Sequence, residues 1–135
     1  MMLQIKRIYD PPSPFDGDRI LVDRLWPRGV SKKAARLNSW LKDVAPTPEL
    51  REWFDHRTDR WAEFEKRYRT ELLHNQAFND LCKFAEGHDI TLLYGAKDHD
   101  HNHALVLASA IQATLGATEQ VGDFQDNSTG AMLRA

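Results

Sequence analysis

Arg19-Ile-Leu-Val-Asp-Arg-Leu-Trp-Pro-Arg-Gly-Val30 is the stretch that decides the fold. Ile20 to Leu25 reads as a strand: a short apolar run with branched side chains, which suits a buried position in a sheet. Asp23, Arg24, Trp26 and Arg28 crowd its C-terminal end. Pro27 and Gly29 then break the strand and turn the chain toward a helix. In an open parallel α/β sheet, ligands bind just outside the carboxyl ends of the strands. The charges gathered there are therefore the first candidates for function.

Two further strands flank this one in sequence. Asp89 to Tyr94 is continuously apolar, as a strand buried on both faces should be. Leu3 to Tyr9 alternates, with Leu3 and Ile5 on one face and Gln4, Lys6 and Ile8 on the other. The Pro11-Pro12-Ser13-Pro14 segment after it can continue neither a helix nor a central strand, and Asp16-Gly17-Asp18 adds a turn. It is also too short for an ordinary crossover helix, so local reasoning leaves the first two strands free to run antiparallel.

The remaining segments read as helices. Ser31 can cap one in which Ala34, Leu37, Trp40, Leu41 and Val44 recur at helical spacing until Pro46. Thr47 and Pro48 open a short helix carrying Leu50, Trp53 and Phe54. A longer one follows with Trp61, Phe64, Tyr68, Leu72 and Leu73 inward and a Glu65–Arg69 pair outward. Asn75 caps the next, with Phe78, Leu81, Cys82, Phe84 and Ala85 inward, and Gly87 ends it. Ala104 to Leu115 is the last. Residues 1–115 thus form one α/β domain, and 116–135 read as a mobile C-terminal tail with Val121 and Phe124 as docking points.

The composition bounds the function. The chain has 135 residues, 41% of them hydrophobic, a net charge of −2 and a sequence pI near 6.3. A broadly basic nucleic-acid binder is disfavoured, although a local basic patch is still allowed. One cysteine, Cys82, permits no internal disulfide and suits a reducing compartment. Without a signal-like start or an apolar run of about 18 residues, a soluble cytoplasmic protein with no membrane contact is expected. No P-loop or dinucleotide glycine pattern names a cofactor.

Two loops should converge, Trp26–Gly29 and Gly95–His103. Together they offer Asp23, Arg24, Arg28, Tyr94, Lys97, Asp98, His101, Asn102 and His103. Arginine forks suit carboxylates or phosphates, and the N-terminus of the last helix favours an anion. Arg24 and Arg28 are the expected anion holders. Trp26, Tyr94, Lys97 and Asn102 are further ligand contacts, and Trp26 can stack on a ring. Asp23, Asp98 and His103 are the proton-transfer candidates; histidine suits that task because its ordinary pKa is about 6.5. The plainer alternative is an internal Asp23–Arg24 pair and a loop that only caps the helix through Asp98 or Asp100. The Asp98-His-Asp-His-Asn-His103 run places His99 and His103 at helical i,i+4 spacing, but it is a weak metal signal and no specific metal site is assigned.

Several segments taken in order carry a resemblance: Ile5-Lys-Arg-Ile-Tyr-Asp10, Arg19 to Ser31, Trp40-Leu-Lys, Ala45-Pro, Leu50-Arg, Trp53-Phe, Arg60-Trp-x-x-Phe64, Arg67-Tyr68 and Leu92 to Asp98. They resemble the YeaO-like branch of the domain-of-unknown-function 488 family over residues 3–115. The resemblance implies parallel first and second strands, with the Pro-rich loop as a reduced crossover. The expected fold is then a three-layer α/β domain with a small, mostly parallel sheet flanked by helices, Rossmann-like in topology. The wider family has a Cys-His-Arg run entering its last helix; here that place reads Asn102-His103-Ala104, which argues against thiol chemistry. His56-Arg57-Thr58 stands where the family has His-Asp-Pro, so the long helix should start loosely or on Thr58. The expected function is a small-molecule enzyme or ligand-binding domain for an anionic, phosphate- or nucleotide-like compound. The alternative is a nucleic-acid- or protein-binding accessory domain using Arg24, Arg28, Lys32, Lys33 and Arg36 as a basic patch.

Overall fold

A computed structural model describes residues 2–123, with side chains through residue 116. Four strands, Leu3–Arg7 (β1), Asp18–Leu21 (β2), Ser39–Trp40 (β3) and Ile90–Tyr94 (β4), form one sheet in the order β1-β4-β2-β3. Every pairing is parallel. The helices are Lys32–Ala35 (α1), Pro48–Phe54 (α2), Trp61–Leu73 (α3), Gln76–Ala85 (α4) and His103–Asp123 (α5). This is the three-layer α/β arrangement, and the first two strands run parallel with β4 between them.

Strand alternation divides the core unequally. Ile20, Val22, Ile90, Leu92 and Tyr94 face a large cluster with side chains of α2 to α5, and Leu3 and Ile5 pack against it. Leu21 and Leu93 point the other way, into a small cluster with Ile8 and Ala35, flanked by Trp26, Val30, Leu37 and Trp40. All five residues of β4 are buried, as its apolar run requires of a central strand.

The Pro-rich connection from β1 to β2 is a single 3-10 turn, Pro14–Asp16, closed by a capping box from Ser13. The turn reading of Asp16 misses its weight. Its carboxylate is buried, 3.0 Å from Lys6 Nζ and 2.6 Å from Arg19 Nη1. Burial alone would raise its pKa, but bonds from the Ser13 N–H, Lys6 and Arg19 outweigh that and hold it below the usual value. Gly17 follows with φ +65°, and a Cβ there would lie 2.2 Å from the Asp89 carbonyl oxygen. Only glycine fits that approach.

The segment after Ser31 corrects the expected helix through Val44. Ser31 does cap α1, but Arg36 turns left-handed at φ 49° and the helix stops after four residues. The chain then pairs with the open edge of β2: Asn38 N–H donates to the Arg19 carbonyl, and Asn38 Oδ1 accepts from Arg19 N–H. Buried backbone groups need partners, and β3 supplies them. Leu37 and Trp40 serve the small cluster, Leu41 and Val44 the large one, so a chain crossing the sheet edge imitates a helical repeat. The second strand also ends at Leu21, not Leu25, which frees Asp23 to Arg28 as loop.

The other helices are mostly as expected. Thr47 and Asn75 cap α2 and α4. Leu73 and Phe84 are exposed rather than inward. A 3-10 turn, Thr58–Arg60, leads into α3 without a side-chain cap. The last helix runs to Asp123, past the expected stop at Leu115. The docking expected of Val121 and Phe124 lies outside the residues whose side chains are described. Among the described residues, no helix is long and apolar enough to cross a membrane.

Candidate functional site

The loops leaving β2 and β4 meet at a cavity of about 330 Å³. That is the low end of the range for small-molecule sites. Asp23 ties the loops together: its Oδ2 accepts from Gly95 N–H at 2.9 Å, and its carbonyl accepts from Trp40 Nε1 at 2.7 Å. A Cβ on Gly95 would stand 3.0 Å from that carboxylate oxygen. Asp23 Oδ1 is buried and makes no hydrogen bond among the described residues. Its neighbour is His103 Nε2 at 3.3 Å, which lies closer, at 2.9 Å, to the Val22 carbonyl. Burial raises the Asp23 pKa; His103, the Gly95 N–H and Arg51 pull it back only in part. Asp23 therefore pairs with His103, not with Arg24.

The arginines divide by what they already hold. Arg24 lines the cavity, but its Nε and Nη2 each lie 3.2 Å from a carbonyl oxygen, of Pro46 and Ala45 respectively. Arg28 lines it too, and its guanidinium has no hydrogen bond or ion pair among the described residues. The same is true of Arg51 on α2. Trp26 borders the cavity with its indole spent on structure: Nε1 donates to the Val30 carbonyl at 2.7 Å, and the ring meets Trp40 edge-on.

The loop after β4 sorts the remaining candidates. Asn102, not Asp98 or Asp100, caps α5: its Oδ1 accepts from Leu105 N–H, while Nδ2 donates to the Asp98 and His99 carbonyls. It is buried at the cavity wall with both ends of its amide used. Asp98 stands outside the cavity. Its carboxylate accepts from the N–H groups of Asp100 and His101 and lies 3.0 Å from His101 Nδ1, and these bonds lower its pKa. Tyr94 is buried away from the cavity, its hydroxyl 3.2 Å from His99 Nδ1, and burial pushes its pKa up. Lys97 is exposed and also outside. His99 precedes the helix, so it is not an i,i+4 partner of His103. Among the described residues, no group of three or more His, Cys, Asp or Glu side chains is arranged to hold a metal ion.

One whole wall was missed from the sequence. Arg51, Phe54 and His56 come from α2 and its exit, Phe64 from α3 and Tyr9 from the end of β1; they meet His101 of the β4 loop, which the sequence did offer. Asp55 and His56 both have left-handed backbones, φ 48° and 55°. That is unusual for side-chain-bearing residues, and it turns the chain so that His56 stands at the cavity. The available signal was the family resemblance, which already carried Leu50-Arg51 and His56.

The profile of the family described as the inactive DUF488-N3 subclade, DUF488-N3i, matches residues 2–131. The chain is 45% identical over 114 residues to the uncharacterized protein YeaO of Escherichia coli K12, covering 84% of this chain and 99% of that one. It is 39% identical over 109 residues to the uncharacterized protein Mb3100c of Mycobacterium bovis, covering 81% and 92% respectively. No solved structure matches it significantly.

Proposed function

For a chain that belongs to the DUF488 family, we propose a ligand-binding role: the cavity at the β2 and β4 ends takes up one small anionic, phosphate-bearing compound. The observation that carries this reading is the pair Arg28 and Arg51, two guanidiniums on one cavity with no protein anion bonded to either. Arginine forks without a partner match phosphate or carboxylate oxygens bidentately. His56, His101 and His103 add further donors around the same space, against Asp23 as the lining carboxylate. Phe54, Phe64, Ala45 and Pro46 supply the apolar surface that such sites use to hold the rest of a ligand.

Binding is favoured over catalysis by Asn102. By the resemblance it stands where the wider family has a cysteine, and both ends of its amide are engaged in capping α5. Among the described residues, no Ser, Thr or Cys lines the cavity beside His103. The description of the matched subclade as inactive points the same way. Asp23 and His103 then serve as a fixed polar floor that sets the shape and charge of the site.

The test is a thermal-shift panel of sugar phosphates, nucleotides, inorganic phosphate and a short oligonucleotide, with Arg28→Ala and Arg51→Ala beside the wild type. A ligand at 100 times its Kd adds about 2.7 kcal/mol, a shift of several degrees for a chain of this size. Phosphate compounds that stabilise the wild type but neither variant support the reading. Stabilisation by the oligonucleotide alone, falling steeply with salt and insensitive to Arg51→Ala, replaces it with the basic-patch alternative.

A further inference from the structure

We propose that the ligand carries an aromatic ring stacked on Tyr9, so that the compound is a free mononucleotide and not a simple sugar phosphate. The inference rests on the anion-binding reading above and names the class of compound that the same cavity selects.

Tyr9 follows β1 and is 45% exposed. Its hydroxyl donates to the Arg28 carbonyl at 2.8 Å, which fixes the ring to the loop that bears the unpaired Arg28 guanidinium. One ring face is covered by Arg7, whose guanidinium carbon lies 4.6 Å from the ring centroid. Arg7 is itself fixed, donating to the Ala96 carbonyl at 2.8 Å and the Gly95 carbonyl at 3.2 Å. Tyr9 lines the cavity and Arg7 does not, and the face opposite Arg7 is the one the proposal assigns to the ligand.

The contacts of Tyr9 orient the ring without burying it. An aromatic held edge-on by its hydroxyl and backed by a cation is a prepared platform for a second flat ring. Trp26, the stacking candidate from the sequence, is committed to structure by its edge-on packing on Trp40 and its bond to Val30. The neighbouring Arg28 then reaches the anionic arm of the same compound. A cavity of about 330 Å³ admits one nucleotide unit and not a strand.

The test is calorimetric titration of the full chain with the four nucleoside 5′-monophosphates and with ribose 5-phosphate. Stacking of a base on an aromatic side chain is commonly worth a tenfold or greater gain in affinity. The best mononucleotide is expected to bind at least tenfold more tightly than ribose 5-phosphate. Tyr9→Leu should remove that preference and leave ribose 5-phosphate within about twofold of wild type. Tyr9→Phe, which keeps the ring, should keep the preference, and Arg28→Ala should weaken both compounds together. Equal affinities in the wild type, or a preference that survives Tyr9→Leu, overturn the stacking proposal and leave the anion site standing. Failure of every phosphate compound to bind overturns the anion site and the stacking proposal with it.

Discussion

His103 Nε2 lies 3.3 Å from Asp23 Oδ1 and 2.9 Å from the Val22 carbonyl, so one imidazole joins the end of β2 to the start of α5. The contact spans 80 residues of sequence and sets the floor of the cavity. It leaves Asp23 Oδ1 buried without a hydrogen bond among the described residues, and that has a consequence in solution.

Asp23 should titrate above its ordinary value of 3.8, chiefly through burial. A carboxyl raised in the folded state favours folding below its unfolded pKa, and that contribution is lost as pH rises through the folded value. Asp23→Asn should therefore gain stability relative to wild type as pH increases from about 4 toward 7. Urea denaturation across that range measures the difference. Because His103 is the largest influence opposing burial, His103→Ala should raise the Asp23 pKa further, as read from its carboxyl carbon shift by NMR. A relative loss of stability with rising pH in Asp23→Asn would contradict the assignment.

His56 should show a conflict between stability and binding. Its left-handed φ of 55° costs a non-glycine residue about 1–2 kcal/mol. His56→Gly relieves that strain but adds backbone freedom to the unfolded chain, for a net gain on the order of 0.5–1 kcal/mol. The same change removes an imidazole from the cavity and should weaken phosphate-compound binding several-fold. A higher Tm with unchanged affinity would make the strain a matter of chain geometry alone.

Asp16 should matter for folding and not for binding. It is buried between Lys6 and Arg19, and removing one partner of such a cluster leaves Arg19 buried without its anion. Asp16→Asn should cost about 3 kcal/mol near neutral pH. Its lowered pKa means the contribution is present above the ordinary 3.8 and is lost as pH falls through the folded value. The gap between variant and wild type should therefore close on acidification. Ligand affinity of the folded variant should be unchanged.

The sequence reveals elements where the chemistry is local. Ser31, Thr47 and Asn75 cap helices by their own side chains, and Ile90 to Tyr94 is a central strand because its side chains are mostly apolar on both faces. It misleads where partners are distant. Leu37 to Val44 reads as a helix because its apolar residues serve two clusters on opposite sides of the sheet. Asp16 reads as a turn residue because its partners are ten residues before it and three after. Half of the cavity follows the same rule. Asp23, Arg28 and His103 stand at strand and helix ends where topology alone points, whereas Tyr9, Arg51 and His56 reach the cavity through packing that no periodicity encodes.

The most direct test of the anion site is a two-dimensional amide NMR titration of wild-type and Arg28→Ala protein with a nucleoside 5′-monophosphate. Shifts are expected to cluster at residues 23–28, 51–56 and 95–103 in the wild type and to vanish, or need far more ligand, in Arg28→Ala. Shifts centred on α1 and its lysines, or a wild-type spectrum that does not move at millimolar ligand, would contradict it.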